Sequence, residues 1–340
     1  MTNCAVDGSA LDYALDRMAE VAPHQTRRAR AALDVLLRGL RASPWPEVAW
    51  ACSELTPDGF PVELTFSTSP GNTVRYVLEV TGPEAPEHRR VSEAFCLYEK
   101  LAGHRPSAEV ERSVLEMQCN RELFYGAWFG GAHGMASDRY KIYAEIPKGA
   151  SLDKDKLVPD LLKHGPPLPH CRSLPVMFGF QPDSDVREVY FRAAGLAEED
   201  LGMLLWSNGL GHRYRETLEL MEAVFGRPGR MAALEGFSLA FDSGHSSVKA
   251  VSLFAQATVL FGNDAHVRRT LLQIGRSRNW ELTLYEQATE PLQDRDDLLR
   301  HQGVIAWIVS HQGPVEFRIG LRPPSQPSPP PGEGAVVRIR

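Results

Sequence analysis

From Ser9 onward the apolar positions first fall at helical spacing: Leu11, Ala14, Leu15 and Met18, then Ala32, Leu33, Val35, Leu36, Leu37 and Leu40. Steps of three and four stack side chains on one helix face, so residues 9–42 predict two helices, with Ser9 as N-cap. The period then changes to two. Runs at 48–55, 62–67 and 73–80 alternate apolar and polar residues around a Thr56-Pro57-Asp58-Gly59 turn, the pattern of half-buried strands. The same order recurs along the chain. Helices near 90–102 and 107–120 lead to strands near 123–131 and 139–146, and a helix near 152–164 leads to strands near 173–181 and 185–193. Helices over 197–225 lead to strands near 235–242 and 246–260, and helical sequence over 264–300 leads to strands near 302–310 and 314–321. Gly130-Gly131-Ala132-His133-Gly134 and Asp242-Ser243-Gly244-His245 read as turns between strands.

Paired adjacent strands imply antiparallel hairpins, not the βαβ alternation of a doubly wound sheet. Five such repeats predict an α+β fold: a closed ten-stranded antiparallel β-barrel surrounded by α-helices. Residues 1–322 form its single domain, and the Pro-rich 323–340 has the composition of a disordered tail. The second strands split into two faces. One is apolar (Ile142, Ala144, Ile146; Val189, Phe191, Ala193; Val315, Phe317, Ile319) and must lie under the helices. The other is polar and charged: Lys141, Tyr143, Glu145; Glu188, Tyr190, Arg192; Glu316, Arg318. That face is either the lumen of a closed barrel or the wet side of an open sheet; five repeats favour the lumen.

Composition narrows the ligand. With 37 Lys plus Arg against 43 Asp plus Glu the chain carries a net charge of −6 and has no basic cluster, which excludes a general nucleic-acid binder. Five cysteines without CxxC spacing argue against a disulfide framework or a zinc knuckle, and no 18-residue apolar run or leader pattern occurs. The expectation is a cytoplasmic protein without a membrane partner, a monomer or homodimer. Any anionic ligand must be met by positive charge gathered locally. Arg75, Lys141, Arg192, Lys249 and Arg318 each sit on the second strand of a different hairpin. In a closed barrel they would converge, and such a ring suits a phosphate or diphosphate. Singly, each is an ordinary solvated charge; recurrence in every repeat is the argument for a site. Tyr143 and Tyr190 alternate with the cations and could shield a developing carbocation, or simply pack in the strands. Glu63, beside the first turn, could accept a hydrogen bond or a proton, or be a surface ion pair. Nucleotide, zinc-protease and serine-hydrolase motifs are absent, and Asp294-Arg295-Asp296-Asp297 is not an aspartate-rich magnesium motif but a solvated helix face.

Over residues 10–322 the chain resembles the ABBA aromatic prenyltransferases, whose PT-barrel fold winds five ααββ repeats around a lumen. Lys141-Ile142-Tyr143-Ala144-Glu145-Ile146-Pro147 looks like the K-x-Y…P strand of repeat two. Val189-Tyr190-Phe191-Arg192 looks like the repeat-three strand of bacterial members. Lys249 falls where repeat four carries its basic residue, and Phe317-Arg318-Ile319-Gly320 resembles the basic strand near the end. Thr56-Pro57-Asp58-Gly59-Phe60-Pro61-Val62-Glu63-Leu64 is similar to a stretch of dimethylallyl-tryptophan synthases in which the Glu orients the indole N–H and the next strand supplies an Arg, matched by Arg75. The resemblance implies transfer of a dimethylallyl or geranyl group from its diphosphate to an electron-rich acceptor, with indole or tryptophan derivatives first and phenols, phenazines or guanidines as alternatives. It implies that Arg75, Lys141, Tyr143, Tyr190, Arg192, Lys249 and Arg318 bind the prenyl diphosphate. Thr65 stands where some phenol prenyltransferases keep a magnesium-binding Asp, implying no metal and no cofactor. A barrel that binds a metabolite without converting it, and an open-sheet interaction module, are the rival readings.

Overall fold

The computed structural model describes residues 8–150, 158, 166, 168–225, 233–242, 247–293 and 300–325. Apart from Val158, the helix expected near 152–164 lies outside the described residues. So do residues 243–246, Asp294–Asp297 and the tail beyond 325. The described helices are α1 (Ser9–Ala19), α2 (Pro23–Leu36), α3 (Arg38–Arg41), α4 (Pro46–Ala49), α5 (Glu87–Ala102), α6 (Ala108–Gln118), α7 (Glu198–Ser207), α8 (Tyr214–Phe225), α9 (Ala257–Phe261), α10 (Asp264–Arg278) and α11 (Thr283–Ala288). The strands are β1 (Val62–Ser67), β2 (Val74–Glu79), β3 (Ala127–His133), β4 (Asp138–Glu145), β5 (Leu174–Gln181), β6 (Val186–Arg192), β7 (Leu234–Asp242), β8 (Val248–Gln256), β9 (Gln302–Ser310) and β10 (Glu316–Leu321).

Each strand pairs antiparallel with its chain neighbours, and β1 pairs with β10, so the sheet closes into a ten-stranded barrel. Leu64 lies opposite Leu321 and Ser67 opposite Arg318 at the closure. The open-sheet alternative is thereby excluded. Alternation sorts the side chains as the sequence pattern predicts. Val62, Leu64, Val74, Leu78, Ile142 and Val189 are fully buried beneath the helices, each such burial contributing about 1.5–3 kcal/mol. Rings lock the layers: Trp307 of β9 meets Phe225 of α8 at 5.3 Å and Phe317 of β10 at 5.7 Å. The inward residues of β1, β2 and β4 keep partial exposure although sheet and helices enclose them. Their accessible surface faces the inside of the barrel, which is therefore hollow.

Four local expectations change. Residues 48–55 form no strand: Pro46 opens the short helix α4, after which Trp50 stacks on Phe60 at 5.5 Å and the chain loops back, with Ser53 N–H donating to the Gly59 carbonyl at 2.8 Å. Gly59 has φ +81°, and a Cβ there would strike the Ala51 carbonyl. Residues Gly130–His133 belong to β3 and are not a turn. β3 starts later than expected, at Ala127, because the Glu145 carboxylate holds the preceding loop by accepting from the N–H groups of Phe124 (2.9 Å), Tyr125 (2.8 Å) and Gly126 (2.8 Å). Finally, β8 ends at Gln256 and the chain turns into α9.

Candidate active site

Three of the five expected cations meet inside the barrel. Arg75 lies opposite Thr65 on the β1–β2 ladder, and Arg318 lies opposite Ser67 across the closure, which places both close enough to repel each other. Lys141 on β4 places its Nζ 4.8 Å from the centroid of the Tyr143 ring and 5.2 Å from that of Tyr190. Tyr143 is felt by both Arg75 and Arg318, so the three cations and the two tyrosines form one cluster. Phe254 completes its aromatic side, stacked 5.7 Å from Tyr190, while Tyr143 meets Tyr190 edge-on at 6.0 Å.

The other two cations stand apart, each for a backbone reason. The β7–β8 ladder shifts register between Ala240 and Phe241, leaving Lys249 as the extra residue of a bulge between Val248 and Ala250. A bulge turns its side chain out of the alternation, and Lys249 is half exposed and paired with Asp242 at 2.6 Å. Arg192 is the last residue of β6; it is exposed, and its charge acts on Tyr125 in the loop before β3. The expected ring of five is a cluster of three.

Two carboxylates that sequence reasoning left out of the site enter the same cluster. Glu188 pairs with Lys141 and accepts hydrogen bonds from Tyr190 (2.9 Å) and from Ser238. Burial alone would raise its pKa, but the Lys141 charge and these donors outweigh it and hold Glu188 below the ordinary carboxylate value. Glu316 pairs with Arg318 and accepts from Ser67 at 2.7 Å. There too burial works upward, and Arg318, Ser67 and Arg75 together bring the carboxyl down to about 2. Both were legible on the polar strand faces, as Glu188 two residues before Tyr190 and Glu316 two before Arg318. Arg75 makes no ion pair among the described residues and its Nε has no hydrogen-bond partner. Burial, then the nearby Arg318, lowers its pKa to about 10, so it stays charged at neutral pH. It is the cation of the cluster that lacks an ion pair among the described residues, with Glu316 acting on it from farther away.

Glu63 is different in kind. It lies against Gly303 and Gly320, where a Cβ on either would overlap its carboxyl, and it has no hydrogen-bond or ion-pair partner among the described residues. Burial alone pushes its pKa up to about 8. It faces a cavity of about 720 Å³ lined by the loop 51–59, Gln256, Gly303 and Val304. Glycines likewise make room for the cluster: a Cβ at Gly130 would lie 2.9 Å from the Tyr143 ring, and one at Gly179 2.7 Å from Lys141 Cε. Among the described residues no group of three or more His, Cys, Asp or Glu could hold a metal ion, and no helix is long and apolar enough to cross a membrane.

No protein-family model matches the chain, and no curated protein matches it in sequence. Solved structures do match in fold. The 5-dimethylallyltryptophan synthase of Streptomyces coelicolor superposes with a TM-score of 0.72 at 13% identity, over 94% of this chain and 97% of its own. The 6-dimethylallyltryptophan synthase of Micromonospora olivasterospora, solved with DMASPP and Trp, gives 0.69 at 18% over 93% and 97%. AnaPT of Neosartorya fischeri gives 0.65 at 14% over 93% and 92%. The chain has the PT-barrel fold of these prenyltransferases along nearly its whole length.

Proposed function

We propose that the chain is an aromatic prenyltransferase that moves an allylic group, dimethylallyl or geranyl, from its diphosphate to an indole or tryptophan derivative. The observation that carries this reading is the cluster of Arg75, Lys141 and Arg318, brought from three hairpins around Tyr143, Tyr190 and Phe254 inside a closed barrel. A fold shared with enzymes solved with DMASPP and Trp supports it.

In this reading the diphosphate docks on Arg75, the cation with no ion pair among the described residues, and draws Lys141 and Arg318 away from Glu188 and Glu316. The allylic C–O bond breaks with its electron pair leaving on the diphosphate, where the three cations stabilise the developing charge. The rings of Tyr143, Tyr190 and Phe254 face the allylic cation and keep water from quenching it. A ring carbon of the acceptor forms the new C–C bond while the acceptor's N–H proton passes to the Glu63 carboxylate; the ring carbon then loses its own proton to water and the nitrogen regains one from Glu63. Side-chain cations do the electrostatic work throughout, so the reaction needs no metal.

The test is incubation with dimethylallyl or geranyl diphosphate and a panel of indoles and phenols, with and without EDTA, read by mass spectrometry. A mass gain of one prenyl unit, unchanged by EDTA, is expected. No mass gain with any acceptor and no pyrophosphate release overturns the enzyme reading in favour of a metabolite-binding barrel.

A further inference from the structure

The cavity at Glu63 is of the size that takes a small organic ligand, about 300–1,000 Å³, and its charge is one-sided. Among the described residues three carboxyl groups line it, Glu54, Asp58 and Glu63, and no Lys, Arg or His does. The three are not equivalent. Asp58 is compensated: Arg322 Nε lies 2.5 Å from one of its oxygens, and the Thr56 hydroxyl donates to the other at 3.0 Å. Glu63 sits deep, with no donor of its own from the described residues. A buried polar group in that state is completed by a ligand or water, since leaving it unpaired is unfavourable. Glu54 is exposed on the loop at the mouth and has no ion pair or hydrogen bond among the described residues.

We infer that the acceptor is an aromatic amine without a free carboxylate: an arylalkylamine, or an ester or amide of an aromatic amino acid. Its ring N–H donates to Glu63, and its ammonium group lies by Glu54. The inference rests on the prenyltransferase reading and gives the acceptor a chemical class. A free amino acid would bring its own carboxylate into a cavity whose described lining offers no cation and already holds an uncompensated carboxylate, so the lining selects by repulsion as well as attraction.

The test is calorimetric titration of the full chain at low salt, without prenyl diphosphate, with tryptamine, tryptophan methyl ester, tryptophan and indole-3-propionate. Bare indole, which carries neither charge, is the reference ligand. Tryptamine and the ester are expected to bind roughly fivefold or more tightly than tryptophan, and more tightly still than indole-3-propionate, as an exposed charge pair warrants. Glu54→Gln is expected to narrow that preference to less than about twofold, and added salt to weaken it. Equal or tighter binding of tryptophan or indole-3-propionate overturns the inference, as does a preference that Glu54→Gln leaves intact. The two readings fail separately. Selective amine binding with no prenyl transfer sinks the prenyltransferase reading alone, and prenylation of tryptophan without amine preference sinks this inference alone.

Discussion

Two carboxyl groups face the inside of the same barrel and end in opposite states. Glu188 is surrounded by donors, Lys141, Tyr190 and Ser238, and is held ionised below its ordinary range. Glu63 is surrounded by glycine backbone and open cavity, with no donor among the described residues, and burial raises it to about 8. Residue type and depth are shared; the difference lies in what the neighbouring strands supply. A carboxylate already bonded on every side is a fixed counter-charge, whereas one with no partner near pH 8 can exchange a proton or accept a bond from a ligand. The barrel thereby separates a charge-holding region from a proton-handling one.

The strongest test of that division removes the counter-ion of the first region. Lys141→Met leaves Glu188 buried without its cation, and unfolding in urea is expected to register a loss of about 3 kcal/mol. Prenyl transfer falls at the same time by about a hundredfold or more, since one charge-stabilising donor is gone. The double variant Lys141→Met/Glu188→Gln separates the two effects: stability returns, transfer does not. Full stability in the single variant would mean that Tyr190 and Ser238 suffice to hold Glu188, and the contrast with Glu63 would weaken. Glu188→Gln alone acts in the opposite sense. It frees Lys141 for the diphosphate and is expected to lower KM for the prenyl donor several-fold, up to about tenfold.

In the second region Glu63→Gln is expected to cut transfer by about a hundredfold, the usual contribution of a positioned acid–base group, while leaving binding of a thiolodiphosphate analogue intact. Its pH dependence is the sharper measurement. Glu63 is protonated below about pH 8 and ionised above, so kcat/KM climbs with pH to a plateau above that value, and Glu63→Gln removes this limb. Stability moves the other way. The folded state keeps a proton that the unfolded chain has released from its ordinary 4.5, so stability declines from pH 4.5 up to about 8 and is level beyond. The Gln variant should flatten that slope. A kcat/KM profile indifferent to Glu63→Gln would remove the group from proton transfer.

How far the sequence reached differs between these regions for a physical reason. Strand alternation alone placed Lys141, Tyr143, Glu188 and Tyr190 on one face, because a period of two survives any rigid closure of the sheet, and five hairpins sufficed to predict the barrel. Register irregularities do not announce themselves in a single chain. The bulge at Lys249 turned an expected lumen cation outward and brought Phe254 inward, with no Gly or Pro in β8 to mark it. Gly130 and Gly131 misled differently: glycines that signal a turn by conformation were present for space, beneath Tyr143 and Tyr76. The Glu63 motif was visible through family resemblance, but its lack of partners depends on Gly303 and Gly320, some 240 residues and more along the chain.

Those glycines give the finest comparison of the two regions, because one added methyl group probes each. At Gly179 a Cβ would lie 2.7 Å from Lys141 Cε and 3.3 Å from the Tyr190 ring. The lysine stem is flexible and can give way, so Gly179→Ala is expected to raise KM for the prenyl donor by about threefold and leave the pH limb of Glu63 in place. At Gly320 the added Cβ would overlap the Glu63 carboxyl itself, a short side chain with nowhere to retreat but the cavity. Gly320→Ala should therefore raise KM for the acceptor by roughly tenfold and leave that for the donor unchanged. Pushed towards the open cavity and water, Glu63 would also lose part of the burial that raises its pKa, and the pH limb should shift below 8. Steady-state kinetics with each substrate varied in turn reads both effects. If Gly320→Ala altered the donor KM and Gly179→Ala the acceptor KM, the two regions would be one site, and their separate roles would have to be abandoned.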